Sequence, residues 1–222
     1  MGTLHLVRHG QASFGTDDYD RLSELGFAQA AALGTAWEAG GAVFTDAFAG
    51  SMLRHAQTAI TSIDASGLGE EDADPGLSGY DVDDRWNEYD HLGLAATQTD
   101  EASELDSAQF QAVLNLAIAD WQAGRGDFTE TYVEFRDRVM GAFEAAIEVA
   151  KERGRRVLVF TSGGPIAMVV SQLVAGNDSA FGRLNDVLVN SSATTIMVGS
   201  TGPRVLTFND HSHLPKSDIT FR

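Results

Sequence analysis

The sequence predicts an α/β fold: three layers, with a mostly parallel sheet covered by helices on both faces and a helical insertion beside it. Three observations predict it. Strand-length apolar runs alternate along the chain with stretches whose apolar residues recur at three- and four-residue steps. That strand–helix alternation implies parallel strands buried on both faces. Near the end, Thr194–Val198 and Val205–Phe208 flank Gly199-Ser200-Thr201-Gly202-Pro203 and read as a closing hairpin. At 222 residues the chain fits a single domain, 1–222, with the insertion at about 90–150.

The first strand runs through Leu4-His5-Leu6-Val7 and leaves by Arg8-His9-Gly10-Gln11-Ala12-Ser13. Ser23 is the expected N-cap of the first helix, whose face carries Phe27, Ala30, Ala31 and Gly34, and Gly40-Gly41 ends it. Val43 to Gly50 reads as a second strand, followed by a helix from Ser51-Met52-Leu53-Arg54 with Ala56, Ala59, Ile60 and Ile63 as its buried stripe. Ser66 to Asp84, rich in Gly, Asp and Glu, reads as a surface loop. Asp106 or Ser107 caps a helix carrying Phe110, Val113, Leu114, Ala117, Ile118 and Trp121, which stops at Gly124. Thr131 and Glu134 form a capping box for a long helix with Phe135, Val139, Ala142, Phe143, Ala146 and Ile147 inside. After Gly154 comes the clearest strand, Val157 to Thr161, then Ser162-Gly163-Gly164-Pro165 and a helix to Ala175.

Composition narrows the classes. A hydrophobic content of 43% is ample for one core. The absence of cysteine excludes disulfides, iron–sulfur clusters and thiolate zinc sites, and favours a reducing, cytoplasmic setting. Met1-Gly2-Thr3 runs straight into the first strand, which leaves no room for a signal peptide, and no stretch has the apolar length of a membrane span. A net charge of −17 argues against nucleic acid as a partner. It also requires that any phosphorylated substrate be met by a local cluster of cations.

Three strand-to-helix junctions supply that cluster. Parallel strands bring the Arg8-His9 turn, the Arg54 turn and the Ser162-Gly163-Gly164 turn to one sheet edge, where ligands of open α/β sheets bind. An imidazole there can act as a nucleophile, and a guanidinium can grip two phosphoryl oxygens. Arg54 lies against a helix dipole, an unfavourable place for a cation unless an anion joins it. Pro165 suits the first helical position, and the glycines before it let backbone N–H groups approach an anion. His211 and His213 have the spacing of two metal ligands, but no carboxylate or third histidine is placed to join them, so no metal is expected. His5 and His55 read as structural or exposed.

The run Leu6-Val7-Arg8-His9-Gly10-Gln11 resembles the signature of the histidine phosphatase superfamily, the phosphoglycerate-mutase-like proteins. Leu22-Ser23 through Gly26, with Gln29-Ala30, resembles the family's first helix, and Ser51-Met52-Leu53-Arg54-His55-Ala56-Gln57-Thr58-Ala59 its second motif. The resemblance implies that His9 attacks phosphorus, that Arg8 and Arg54 hold the phosphoryl oxygens, and that Glu88 is the proton donor. Such a Glu88 needs a raised pKa. Asp81, Asp83, Asp84 and Asp90 are its rivals for that role. Gln11 and Ser13 lie where the family makes further contacts to substrate.

One position departs from the pattern. The family's third motif is an apolar strand followed by His-Gly, and here Ser162-Gly163 follows the strand. Ser162 and Gly163 are therefore candidate phosphate contacts, and Ser162 is equally a candidate helix cap, while His211 or His213 is a candidate substitute imidazole. The resemblance implies a cofactor-free phosphomonoester hydrolase acting on a small phosphorylated substrate or releasing inorganic phosphate. Two further readings stand beside it: a cofactor-dependent phosphoglycerate mutase, and a phosphate or phosphoprotein binder without catalysis. Oligomeric state stays open, with a homodimer as one candidate.

Overall fold

The computed structural model of the chain describes residues 1–13, 20–69, 77, 79–99 and 107–221, with only the backbone described at Ser107, Ala108 and Phe110. In chain order the elements are β1 (Gly2–Arg8), α1 (Glu24–Ala39), β2 (Asp46–Ala49), α2 (Leu53–Ala65), β3 (Asp81–Val82), α3 (His91–Ala96), α4 (Ser107–Gln122), α5 (Tyr132–Ala150), β4 (Arg156–Thr161), α6 (Gly163–Ala175), α7 (Phe181–Asn185), β5 (Ala193–Gly199) and β6 (Gly202–Asp210). The sheet order is β3-β2-β4-β1-β5-β6. Its first four strands are parallel; β5 joins β1 antiparallel and pairs with β6 as a hairpin. The sheet is therefore mixed, with the expected parallel half.

Alternation along β1 sorts the two faces. Leu4 and Leu6 point into a core built with Val157, Val159, α5 and α6, while Val7 points with Leu158 and Phe160 toward α1 and α2. The α1–α2 contact is close because Gly34 lacks a side chain, whose Cβ would stand 2.2 Å from the Ser62 carbonyl oxygen. On the opposite face Tyr89, Trp121, Tyr132, Phe135 and Phe181 form an aromatic cluster with ring centroids 5.0–6.3 Å apart. The stretch expected as an insertion divides. Helix α5 packs on β1, β4 and α6 as one of the covering helices, whereas α3 and α4 pack on each other.

Local chemistry sets most boundaries. Ser23 accepts from Gly26 N–H and caps α1, and Thr131 with Glu134 closes a capping box on α5. The second strand is shorter than the apolar run implies, because only Asp46–Ala49 pairs with β4, and of these only Phe48 and Ala49 also pair with β3. The predicted stripe of α2 is corrected: Ile60 is 51% exposed, and the buried face is Arg54, His55, Thr58, Ala59, Ser62 and Ile63. Pro165 is the third helical residue of α6, not the first, which still costs no intrahelical bond because the first-turn N–H groups have no partner in the helix. In the Ser66–Asp84 loop Leu68 and Leu77 are buried in the α1–α2 core, and residues 70–76 and 78 lie outside the described residues. Asp106 and the side chains of Ser107 and Phe110 also lie outside them. Among the described residues no helix is long and apolar enough to cross a membrane.

Candidate active site

β1 delivers Arg8 to the carboxyl edge of the sheet opposite Thr161. The chain beyond it is then pinned on every side. His9 N–H donates to the Thr161 carbonyl (2.9 Å), and the His9 carbonyl accepts from Ser191 N–H (3.1 Å) and Asn190 Nδ2 (3.3 Å). Gly10 N–H donates to Thr58 Oγ1 (3.1 Å), Gln11 N–H to Gln29 Oε1 (2.8 Å), and Leu22 N–H to Gln57 Oε1 (2.8 Å). Gly10 is needed for this approach, since a Cβ there would sit 2.4 Å from the Gly26 carbonyl oxygen. The Gln-Thr pair of α2 and the Gln of α1 are thus backbone receptors for the turn after β1.

His9 is 7% exposed, and its Nδ1 lies 2.7 Å from the carbonyl oxygen of Gly10. A carbonyl can only accept, so Nδ1 carries the hydrogen and Nε2 keeps its lone pair. Burial, reinforced by the charges of Arg54 and Arg8, holds the ring well below the ordinary histidine range despite the opposing Gly10 bond. A neutral imidazole with a bare Nε2 is the form able to attack phosphorus.

His9 opens on a cavity of about 290 Å³ whose wall also includes Arg8, Arg54, Glu88, Tyr89, Asn185 and Phe221. Arg54 is 5% exposed, and its Nη1 pairs with Asp20 Oδ1 at 2.6 Å. Asp20 Oδ2 also accepts from Leu53 N–H at 2.7 Å, so the anion demanded at the start of α2 is supplied within the chain. Arg8 donates to the carbonyls of Leu188 and Phe221, the latter at 2.9 Å. The end of the chain is held there by Gln29, whose Nε2 donates to the Asp218 carbonyl (2.7 Å) and Thr220 Oγ1 (2.9 Å).

Glu88 sits between two buried anchors, Trp86 (1% exposed) and Tyr89 (4%). Thr161 Oγ1 donates to the Trp86 carbonyl at 2.5 Å, and Arg138 from α5 donates to the carbonyls of Asn87 (2.7 Å) and Arg85 (2.9 Å). Arg138 is itself held by Glu130 and lies over the Phe135 ring, 4.9 Å from its centroid. The carboxylate accepts from Gly164 N–H (3.1 Å) and Tyr89 N–H (3.2 Å), so the first turn of α6 binds Glu88 itself. Burial raises its pKa, against the opposing pull of the Gly164 N–H, Arg54, Arg8 and the Tyr89 N–H. Its rivals are placed otherwise: Asp83 pairs with Arg85, Asp90 caps α3, and neither Asp81 nor Asp84 is on the cavity wall.

Several expected contacts lie off that wall. Gln11 Oε1 accepts from Ser23 Oγ (3.0 Å), and Ser13 N–H donates to the Arg21 carbonyl (2.8 Å). Neither side chain lines the cavity, nor does Gly163, whose hypothetical Cβ would meet Arg8 Nε at 3.6 Å. Ser162 makes no side-chain cap; fully buried, its Oγ lies 2.7 Å from His55 Nε2. His211 and His213 are also absent from the wall, and His211 Nδ1 bonds the Asn209 carbonyl at 2.7 Å. The imidazole beside His9 is instead His55, fully buried, its ring centroid 5.7 Å away. Sequence reasoning passed it over. The signal was a polar series at helical spacing, Arg54, His55, Thr58 and Ser62, on what should be an apolar face. Among the described residues no group of three or more His, Asp or Glu is arranged to hold a metal.

The sequence matches the histidine phosphatase superfamily (branch 1) over residues 4–211. No curated protein matches it. Among solved structures, an Entamoeba histolytica phosphoserine phosphatase variant in complex with phosphoserine is 16% identical, with 97% of this chain and 100% of that one covered at a TM-score of 0.65. A mycobacterial glucosyl-3-phosphoglycerate phosphatase with inorganic phosphate is 22% identical, covering 97% and 100% at 0.66. A Bacillus anthracis phosphoglycerate mutase is 20% identical, covering 96% and 94% at 0.61.

Proposed function

The chain belongs to the histidine phosphatase superfamily, and on that premise we propose that it hydrolyses phosphate monoesters through a phosphohistidine on His9. The observation that carries the reading is the meeting of Arg8, His9, Arg54 and Glu88 on one cavity, although they come from distant parts of the chain. His9 Nε2 attacks in line with the leaving oxygen, and the two guanidiniums hold the equatorial oxygens as charge spreads over them. Glu88, its pKa raised by burial, gives its proton to the departing alkoxide. Water then attacks phosphorus while Glu88, now a carboxylate, takes the water's proton. His9 leaves as the neutral imidazole, and inorganic phosphate is released.

Phosphatase is favoured over mutase by the rest of the wall. Beyond the two arginines and His9, the described lining offers one more imidazole, His91, with Gln111, Asn115, Asn185 and the carboxylate of Asp186, and no further Lys or Arg. A mutase must retain an anionic product and reorient it, for which this lining is poorly charged. The absence of cysteine supports a cytoplasmic setting.

Phosphate release from an aryl phosphate, compared between the wild type and His9→Ala, tests the reading. We expect turnover that His9→Ala abolishes. Isomerisation of phosphoglycerate stimulated by a bisphosphoglycerate primer replaces the phosphatase reading by the mutase, and tight phosphate binding without either activity replaces it by the binder.

A further inference from the structure

Behind His9 stands an imidazole that the steps above leave unused. His55 follows Arg54 on α2, is fully buried, and tilts 37° from the His9 ring plane at the 5.7 Å centroid distance. Its Nε2 meets the fully buried Ser162 Oγ at 2.7 Å. The fold makes room for this ring: a Cβ at Gly50 would lie 2.3 Å from His55 Nδ1 and 2.7 Å from Asn87 Oδ1. Burying a hydroxyl and an imidazole costs free energy that their mutual bond only partly offsets, and an apolar pair of the same size fills such a gap more cheaply. The pair's location gives the reason for its presence. Ser162 begins the junction whose next two residues stand against Arg8 and bind Glu88 through the Gly164 N–H.

We propose that His55 is a positioning residue for chemistry at His9, a buried imidazole behind the nucleophile rather than on the cavity wall, contributed by α2 and joined through Ser162 to the junction between β4 and α6. The proposal rests on the phosphatase reading above. Its content is that chemistry at His9 requires an imidazole behind its ring, supplied here from position 55 with Ser162 as its partner. His55 backs the His9 ring on one side and fixes Ser162 on the other. One contact thereby ties the nucleophile to the turn that sets Arg8 and Glu88. Burial and the Arg54 charge keep the ring neutral, so it adds no further positive charge beside His9.

The test is a residue exchange read by steady-state kinetics on an aryl phosphate, with far-UV circular dichroism to confirm folding. His55→Ala should lower kcat about 100-fold with KM changed less than about threefold, the scale of losing one preorganised group. The double variant His55→Ala/Ser162→His, which restores an imidazole from the other element, should recover about tenfold or more of that loss, a rescue no packing role supplies. Ser162→Ala, a small change that carries the test if His55→Ala does not fold, should lower kcat about tenfold. A folded His55→Ala with kcat near wild type, an unaffected Ser162→Ala, or a folded double variant no faster than His55→Ala overturns the proposal. Wild-type protein without turnover overturns the phosphatase reading instead, so the two failures are distinguishable.

Discussion

Replacing Glu88 by Gln separates the chemistry assigned to this carboxyl from its place in the fold. The amide keeps the length of the side chain and one oxygen to accept the Gly164 or Tyr89 N–H, now 3.1 and 3.2 Å from the carboxylate. Its NH2 cannot accept the other, so the variant should lose about 1 kcal/mol of stability. It cannot give a proton to a leaving alkoxide. Loss of a positioned acid costs about 10²–10⁴ in rate, or about 3–5 kcal/mol of barrier. The cost should depend on the leaving group. The parameter kcat/KM reports only steps up to transfer onto His9, so Glu88→Gln should lower it by about 10²–10⁴ for an alkyl phosphate. For a nitrophenyl phosphate, whose oxyanion leaves without help, the loss should stay under about tenfold. In the wild type, kcat/KM for alkyl phosphates should fall as pH rises through a Glu88 pKa lying above the ordinary glutamate value. The variant should lack that alkaline limb. Stopped-flow and steady-state assays on the two substrate types decide it; equal losses on both, or an alkaline limb that survives, refute the role.

Four further outcomes follow from the same geometry. Gly164→Ala would bring a Cβ within 2.1 Å of Glu88 Oε1 and 2.8 Å of the Tyr89 ring. It should cost about 1–3 kcal/mol by thermal melting and lower kcat/KM for alkyl phosphates at least about tenfold. Arg138→Met strands the carbonyls of Arg85 and Asn87 and the carboxylate of Glu130. Urea unfolding should show about 2–3 kcal/mol lost, with activity falling as the Glu88 segment loosens. His5 is held down to about 4 by burial and the Arg156 charge, while the unfolded chain titrates near about 6.5. The unfolded state binds more protons between those values, so stability should fall as pH drops through that window, by up to about 1.4 kcal/mol per unit, and His5→Gln should flatten the slope of melting temperature against pH. Gln29→Ala unties the turn after β1 from Asp218 and Thr220 and should weaken phosphate binding by calorimetry, through Arg8, whose partner is the neighbouring Phe221 carbonyl.

Of the parallel half, β1, β2 and β4 were legible because each lies in a short apolar run that leads to a helix, whereas the exposed two-residue β3 lies inside the stretch that reads as a loop. Ser23 and the Thr131–Glu134 box each left a mark within four residues. Arg8, His9, Arg54 and Glu88 were legible because their motifs are local. What was hidden depends on contacts across long stretches of chain. His55 finds Ser162 across 107 positions, and Arg8 finds Phe221 across 213. A polar residue facing inward cannot be told from one facing out by spacing alone when its partner lies on another element. Ile60 was misplaced for the same reason: the hydrophobic reading of α2 assumed an apolar inner face, whereas that face is built from Arg54, His55, Thr58 and Ser62 to receive the loops of the site. Gln11 was placed as a substrate contact by the resemblance alone; in the fold its side-chain oxygen accepts from Ser23 at the start of α1.

Trapping the covalent state tests the central claim most directly. Rapid mixing with a phosphate monoester, an alkaline quench within the first turnover and peptide mass spectrometry should find one phosphate on the peptide carrying His9, labile in acid and absent from His9→Ala. With nitrophenyl phosphate, whose transfer onto His9 needs no acid, Glu88→Gln, slowed in the water step, should hold more of it. Sustained turnover by the wild type with no phosphate on His9, or with acid-labile phosphate on His55 or another residue, would contradict the account.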